Sequence, residues 1–118
     1  MTEIFCFGSN RAGKHGKGAA LAAYRQYGAI YGRGEGLQGQ SYAIPTKNER
    51  IQTLPLEEIN KHVAIFCAFA FEHPELIFLL TPIGCGLAGY SPSQIAPMFR
   101  DAPANVIFPD VFVEASSE

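Results

Sequence analysis

Two apolar segments, each followed by a glycine-rich loop and then by a helical pattern, constrain the fold of this chain most. The first is Ile4-Phe5-Cys6-Phe7 and the second is "LIFLLT", residues 76–81. Neither segment alternates polar with apolar residues, which is typical of strands covered on both faces of a sheet. Such strands occur in α/β domains, where the ligand site lies beyond the carboxyl ends of the strands. We therefore expect both glycine-rich loops to meet at one end of the sheet.

The sequence between and after these strands predicts further helices and strands. The segment "GAALAAYRQY", residues 18–27, is rich in helix-forming residues and is followed by Gly28, which suits the end of a helix. A long helix is predicted from Pro55 to the His73-Pro74 pair, with two glutamates in its first turn. The remaining predicted elements are a short strand at residues 41–45, a helix at about residues 93–100 and a last strand at residues 106–108.

The length and composition of the chain fit one folded domain. Of its 118 residues, 47% are hydrophobic and 17% are charged, a balance found in globular domains. We predict a single domain over residues 1–118, a three-layer α/β/α arrangement with a mostly parallel central sheet. Neither a signal-peptide layout nor an apolar run of the roughly 18 to 20 residues of a membrane span is present. We therefore expect a cytoplasmic protein without a membrane partner.

The charge is nearly balanced overall, but it is unevenly distributed. The formal net charge of −2 provides no field that would attract nucleic acid, so we expect no nucleic-acid partner. Four basic or titratable residues, Arg11, Lys14, His15 and Lys17, cluster within the first glycine-rich loop. This segment is suited to a small anion.

The cysteines form neither a disulfide framework nor a zinc pattern, since Cys6, Cys67 and Cys85 are widely spaced. We expect neither a metal nor a cofactor. Cys85 lies between glycines just before a helix, a setting that can lower a thiol pKa and produce a nucleophile. No partner base is evident near it, so we interpret Cys85 as a small residue that lines the pocket.

Two common nucleotide-binding motifs are matched only superficially. "GSNRAGKH", residues 8–15, fits the triphosphate loop G-x-x-x-x-G-K-[ST] except at His15, where a hydroxyl group should bind Mg²⁺. Imidazole is a poor ligand for so hard a cation, which disfavours a triphosphatase. "GEGLQG", residues 34–39, matches G-x-G-x-x-G, but a strand follows it where a helix is required. We interpret residues 28–39, with five glycines, as an irregular surface loop.

The two glycine-rich loops, "GSNRAGKHGKGAA" and "TPIGCGLAGYSPSQ", are more informative as a pair. Glycine allows backbone amides to approach a ligand closely, and a helix start adds unpaired N–H donors. Two such loops side by side can bind a diphosphate from both faces. This pairing predicts a site for a nucleotide diphosphate.

The order of these motifs resembles a small macro domain, the α/β module that binds ADP-ribose and its derivatives. The resemblance rests on the Asn-bearing loop, on "HGKGAALAAYRQYGA", and on a strand that ends in "TPIGCGLAGY". It implies that Asn10 addresses the distal ribose, that the second loop binds the diphosphate, and that Tyr90 packs on the distal ribose. The predicted ligand-binding residues are Gly8, Ser9, Asn10, Arg11, Gly16, Lys17, Gly18, Gly84, Cys85, Gly86, Leu87, Ala88, Gly89 and Tyr90.

The family usually has further strands, and an acidic residue that reads adenine, before the asparagine loop. This chain starts almost at that loop. The resemblance therefore leaves adenine to another surface, either a second subunit of a homo-oligomer or the "GRGEGLQG" loop, residues 32–39.

Three functions follow from these motifs. The first is a module that binds ADP-ribose or a derivative, free, cyclic or conjugated, as a sensor or a sequestering protein. The second is a glycohydrolase or esterase that removes or trims ADP-ribose, with Asn10, His15 and Glu35 as candidate catalytic residues. The third is a protein-interaction domain with a degenerate pocket. Each candidate residue also has a structural alternative: a turn cap for Asn10, core packing for Tyr90, and solvated loop positions for His15 and Glu35.

Overall fold

The computed structural model describes residues 2–116, in which five strands form one sheet. The strands are β1 (Thr2–Asn10), β2 (Gly36–Gln38), β3 (Ser41–Lys47), β4 (Leu76–Leu80) and β5 (Val106–Ile107). The helices are α1 (Gly18–Gln26), α2 (Leu56–Glu72), α3 (Pro92–Ile95) and α4 (Asp110–Ser116), and a 3₁₀-helix (Ala96–Phe99) follows α3.

The sheet is mixed but mostly parallel, with the strand order β2-β3-β1-β4-β5. The central strand β1 pairs in parallel with β3 on one side and with β4 on the other, and β5 is parallel to β4. Only β2 pairs antiparallel, with β3. The predicted α/β class with a mostly parallel sheet is thus confirmed. Because β1, β3 and β4 run in the same direction, their carboxyl ends lie together at one end of the sheet.

Alternate residues of β1 belong to two separate hydrophobic clusters. Ile4 and Cys6 lie in the larger cluster together with Val63 and Phe66 of α2. Since successive side chains of a strand point to opposite faces, Phe7 belongs to the other, smaller cluster. The buried members that surround Phe7 there are Ala20, Ala23, Ala29 and Ala43.

The long helix α2 forms where the sequence predicts it. Pro55 is its N-cap, and Glu57 and Glu58 occupy the first turn. Their negative charges interact favourably with the positive end of the helix dipole. The helix ends at Glu72, before His73. Although α2 is 17 residues long, neither it nor any other helix of residues 2–116 could cross a membrane.

The glycine-rich segment of residues 28–39 is not irregular throughout, contrary to the prediction, because it contains β2. The side chain of Gln38 is buried and organises this segment. Its Oε1 accepts a hydrogen bond from the N–H of Ile30 at 2.7 Å, and its Nε2 donates to the carbonyl oxygen of Arg33 at 3.0 Å. A buried glutamine thus supplies the order that the glycines alone do not.

The C-terminal part of the fold also differs from the prediction. The helix expected at residues 93–100 is divided into α3 and the 3₁₀-helix, since Pro97 has no N–H for an α-helical bond. The helix α4 was not predicted at all. Its Phe112 is buried in the larger cluster, so tertiary packing rather than a strong local signal holds this helix.

Candidate functional site

The carboxyl ends of β1, β3 and β4 open into a cavity of about 760 Å³. It lies between the first loop (residues 11–17, before α1) and the second loop (residues 81–91, before α3). Small-molecule sites typically have volumes of roughly 300 to 1,000 Å³. The residues that line the cavity are Gly8, Ser9, Asn10, Lys14, Gly16, Lys17, Gly18, Ala19, Ala20, Thr46, Lys47, Ile51, Thr81, Pro82, Ile83, Gly84, Cys85, Gly86, Leu87 and Ala88.

The side chain of Asn10 shapes the first loop. Its Oδ1 accepts a hydrogen bond from the N–H of Lys14, and its Nδ2 donates to the carbonyl oxygen of Lys14, both at 2.9 Å. Gly13 in the same turn has φ +72°, and a Cβ there would lie 2.3 Å from the backbone nitrogen of Arg33. Asn10 therefore lines the cavity, but its amide also holds the loop closed, as the turn-cap alternative predicted.

The second loop is held by contacts to its own turn and to β1. The hydroxyl of Thr81 donates a hydrogen bond to the carbonyl oxygen of Cys6 at 2.7 Å. The N–H of Tyr90 donates to the carbonyl oxygen of Gly84 at 2.8 Å. Gly84 has φ +75°, and a Cβ at this position would lie 2.9 Å from Cδ1 of Ile95. The turn thus requires glycine and packs closely on α3.

Both loops provide backbone N–H groups that are free to bind a ligand. The helix α1 begins at Gly18, so the N–H groups of its first turn have no acceptor within the helix, and Lys17 gives no side-chain cap. In the described part of the chain, the N–H groups of Gly84, Gly86 and Leu87 have no acceptor either. Closely spaced N–H groups of this kind bind anions. The cavity is therefore suited to phosphate oxygens.

The charged side chains of the cavity are all positive. Lys14, Lys17 and Lys47 line it, and the described residues that line it include no aspartate, glutamate or histidine. Burial raises the pKa of the Cys85 thiol, which leaves less thiolate at neutral pH than a free cysteine would have. The cavity thus favours an anionic ligand, and its lining within residues 2–116 offers no carboxylate or imidazole that could act as a general base.

His15 lies outside the cavity lining and is fully buried, so the alternative of a solvated loop histidine is wrong. Its Nε2 lies 3.0 Å from the carbonyl oxygens of both Ile30 and Arg33, which only accept, so Nε2 carries the proton. Its ring packs edge-on against Phe7, with 5.3 Å between centroids. Nδ1 is buried without a hydrogen-bond partner. His15 therefore joins the first loop to residues 30–33, and this position does not support a catalytic role.

Arg11 and Glu35, both predicted site residues, contact α2 rather than the cavity. Nη2 of Arg11 lies 3.3 Å from Oε2 of Glu58 and 3.2 Å from Nε2 of His62. Oε2 of Glu35 lies 2.7 Å from Nδ1 of His62. The guanidinium donates to the Nε2 atom, so Nδ1 carries the proton that His62 donates to Glu35. Glu35 is thus bound to an imidazole instead of facing a ligand.

Tyr90 also lies outside the cavity lining, as does Gly89. The ring of Tyr90 packs against the larger hydrophobic cluster, and its hydroxyl donates to the carbonyl oxygen of Leu54 at 2.7 Å. This arrangement matches the core-packing alternative rather than the ribose contact implied by the resemblance. The predicted ligand-binding residues that do line the cavity are Gly8, Ser9, Asn10, Gly16, Lys17, Gly18, Gly84, Cys85, Gly86, Leu87 and Ala88.

Several lining residues were not predicted. Thr46 and Lys47 belong to β3, which continues past Pro45, where the prediction ended the strand. The rule that ligands lie beyond the carboxyl ends of parallel strands could have identified both residues. No local pattern pointed to Ile51, because its position depends on a turn built by the side chain of Asn48.

Comparisons of this chain with protein-family models, with curated proteins and with solved structures found no match. The functional interpretation therefore depends on the geometry of the cavity and on the motifs that line it.

Proposed function

We propose that this chain is a three-layer, macro-domain-like module that binds an ADP-ribose-type nucleotide in the cavity between the first and second loops. The ligand would be free, cyclic or conjugated, and the protein would act as a sensor or a sequestering module. The observation that carries the proposal is that unpaired backbone N–H groups from both loops, together with three lysines, surround one cavity.

The arrangement of the loops favours a diphosphate over a single phosphate. The two loops follow β1 and β4, which are adjacent in the sheet and therefore about 4.8 Å apart. A diphosphate between the loops would meet the start of α1 on one side and the turn at Gly84 to Leu87 on the other. Lys14 and Lys17 would offset its charge, and the remaining length of the cavity would hold the sugar and the base.

Binding without catalysis agrees better with the described residues than hydrolysis does. A hydrolase needs a group that activates water. Of the candidates, His15 is fully buried against the ring of Phe7, and Glu35 is bound to His62. Asn10 lines the cavity, but its amide cannot serve as a base. A protein-interaction domain with a degenerate pocket is also disfavoured, since the cavity is open and its N–H groups are unpaired.

Isothermal titration calorimetry with ADP-ribose tests the proposal, with Gly16→Glu as the perturbation. A Cβ at Gly16 would meet no atom within 4 Å, so a side chain can start here without a clash. The substitution adds a carboxylate to a loop that carries Lys14 and Lys17. We expect the affinity of Gly16→Glu for ADP-ribose to fall about tenfold or more. The new carboxylate repels the phosphates, and about 1.4 kcal/mol of repulsion is enough for a tenfold loss. The neutral variant Gly16→Gln, of the same size, is the control and should bind within about threefold of the wild type.

Two results would contradict the proposal: no heat of binding for the wild type with ADP-ribose, or equal affinities for the Glu and Gln variants. Incubation with ADP-ribosylated protein, followed by product analysis, separates binding from turnover. We expect no release of ADP-ribose. Release that disappears in Asn10→Ala would instead support the hydrolase.

A further inference from the structure

Ile51 has an unusual backbone conformation at the rim of the cavity. Its φ is +62°, and among the described residues it is the only non-glycine with a positive φ. A β-branched side chain adopts this left-handed conformation only with strain. Asn48 enforces it: its Oδ1 accepts hydrogen bonds from the N–H groups of Arg50 and Gln52, at 2.9 and 3.0 Å. Strained residues of this kind concentrate at ligand sites.

The strained turn leaves a large apolar side chain inside the cavity. Ile51 lines the cavity and is 40% exposed. Leu87 of the second loop lines the same cavity and is 68% exposed. The two segments are tied together, since the hydroxyl of Thr53 donates to the carbonyl oxygen of Ala88 at 3.0 Å. A cavity suited to an anion thus also has two large, exposed apolar side chains on neighbouring segments of its lining.

We infer that Ile51 and Leu87 form the contact surface for the nucleobase of the bound nucleotide. The inference rests on the proposed function, because it assigns the base to one part of the same cavity. In an ADP-ribose-type ligand the phosphates are charged and the riboses are rich in hydroxyls, whereas the base presents flat faces of low polarity. Covering exposed Ile and Leu side chains with such a face removes apolar surface from water, which stabilises the complex.

This assignment replaces the two surfaces that the sequence left open for adenine. The described residues of the "GRGEGLQG" loop do not line the cavity. Gly34 of that loop lies against the carbonyl oxygen of Asn10, where a Cβ would approach to 2.2 Å, and Gln38 is buried. Ile51 and Leu87 provide a base contact within one chain, so a second subunit is not required.

The variant Ile51→Gly tests the inference, because it removes the side chain and also relieves the strain. We expect the thermal midpoint of unfolding to remain equal to that of the wild type or to rise. Affinity for ADP-ribose should fall about tenfold or more, whereas affinity for the base-free ester ribose 5-diphosphate should change less than about twofold. Ile30→Gly is the matched control, since Ile30 is 44% exposed in a loop outside the cavity lining. It should alter neither affinity.

Every outcome of this comparison is decisive. A selective loss of ADP-ribose binding without a loss of stability supports the inference. If Ile51→Gly weakens both ligands equally, or neither, the base does not contact Ile51, although diphosphate binding by the loops would stand. If the wild type binds neither ligand, the proposed function fails and the inference fails with it.

Discussion

Replacing His15 with alanine tests whether this residue is part of the fold or of a reaction. The imidazole is fully buried, it packs edge-on against Phe7, and its Nε2 donates toward two carbonyl oxygens on the segment of residues 30–33. The variant removes the ring and this hydrogen bond together. The first loop would then lose its side-chain contact with residues 30–33, although the hydrogen bond from the N–H of Gly32 to the carbonyl oxygen of Gly13 would remain. The lysines and free N–H groups of the cavity would also remain.

The size of the effect follows from these contacts. Truncating a buried ring of this kind to alanine costs about 3 kcal/mol, and the lost hydrogen bond adds about 1 kcal/mol. The variant also removes the unpaired Nδ1, whose burial already costs about 1 kcal/mol. We therefore expect a loss of about 3 kcal/mol in the free energy of unfolding. For a domain of this size that corresponds to a decrease of about 12 °C in the melting temperature.

Urea unfolding followed by circular dichroism gives the free energy, and calorimetry at a temperature where the variant is fully folded gives the ADP-ribose affinity. His73→Ala is the control, because this half-buried histidine at the end of α2 stacks on Phe69 but has no fully buried ring, so its removal should cost only about 1 kcal/mol. A loss below about 1 kcal/mol for His15→Ala, combined with abolished binding or turnover, would refute the structural interpretation. His15 would then act on the ligand.

Two further predictions concern a closely packed glycine and the half-buried thiol of Cys67. Gly34→Ala should lower the free energy of unfolding by about 3 kcal/mol or more, because its Cβ would lie 2.2 Å from the carbonyl oxygen of Asn10; Gly16→Ala, whose Cβ meets no atom, is the control in the same urea titration. Burial raises the pKa of the Cys67 thiol to about 11 from 9.0, so the unfolded state loses its proton first as the pH rises. The free energy of unfolding should therefore not change with this thiol below pH 9 and should fall between pH 9 and 11. Cys67→Ala should show a smaller fall over the same range. Equal pH curves for the two proteins would contradict the raised pKa of Cys67.

The parts of the fold that the sequence predicted are those with strong local signals. The strands β1 and β4 are apolar runs, and α2 has helical periodicity with proline and glutamates at its start. By contrast, β2 depends on the buried side chain of Gln38, and α4 depends on the burial of Phe112. The partners of Gln38 are backbone groups only five and eight residues away, but they come within reach of its side chain only in the folded loop. Phe112 packs in a cluster that other elements form. The apolar and polar pattern along the chain contains neither contact.

The same distinction separates correct from incorrect site residues. Backbone positions in the glycine-rich loops were predicted well, because their place after parallel strands determines that they face the cavity. The directions of the side chains were predicted less well. Arg11 and Glu35 turn toward His62, and Tyr90 bonds the carbonyl oxygen of Leu54. Each of these partners lies 27 or more residues away along the chain, so only the folded chain determines where the side chains point.

The small side chains that hold α1 have a consequence for how the protein would respond to a ligand in the cavity. The helix contributes donors to the cavity, yet its buried residues, Ala20 and Ala23, are among the smallest that a core can contain. Detachment of α1 would expose these two alanines and the side of Phe7 that they cover, which is a small part of the apolar area that the chain buries. The local opening of α1 should therefore need less free energy than global unfolding. A ligand bound to the N-terminus of α1 opposes this opening by mass action. Occupancy of the cavity would thereby be converted into rigidity of one surface helix, which another molecule could sense without touching the ligand.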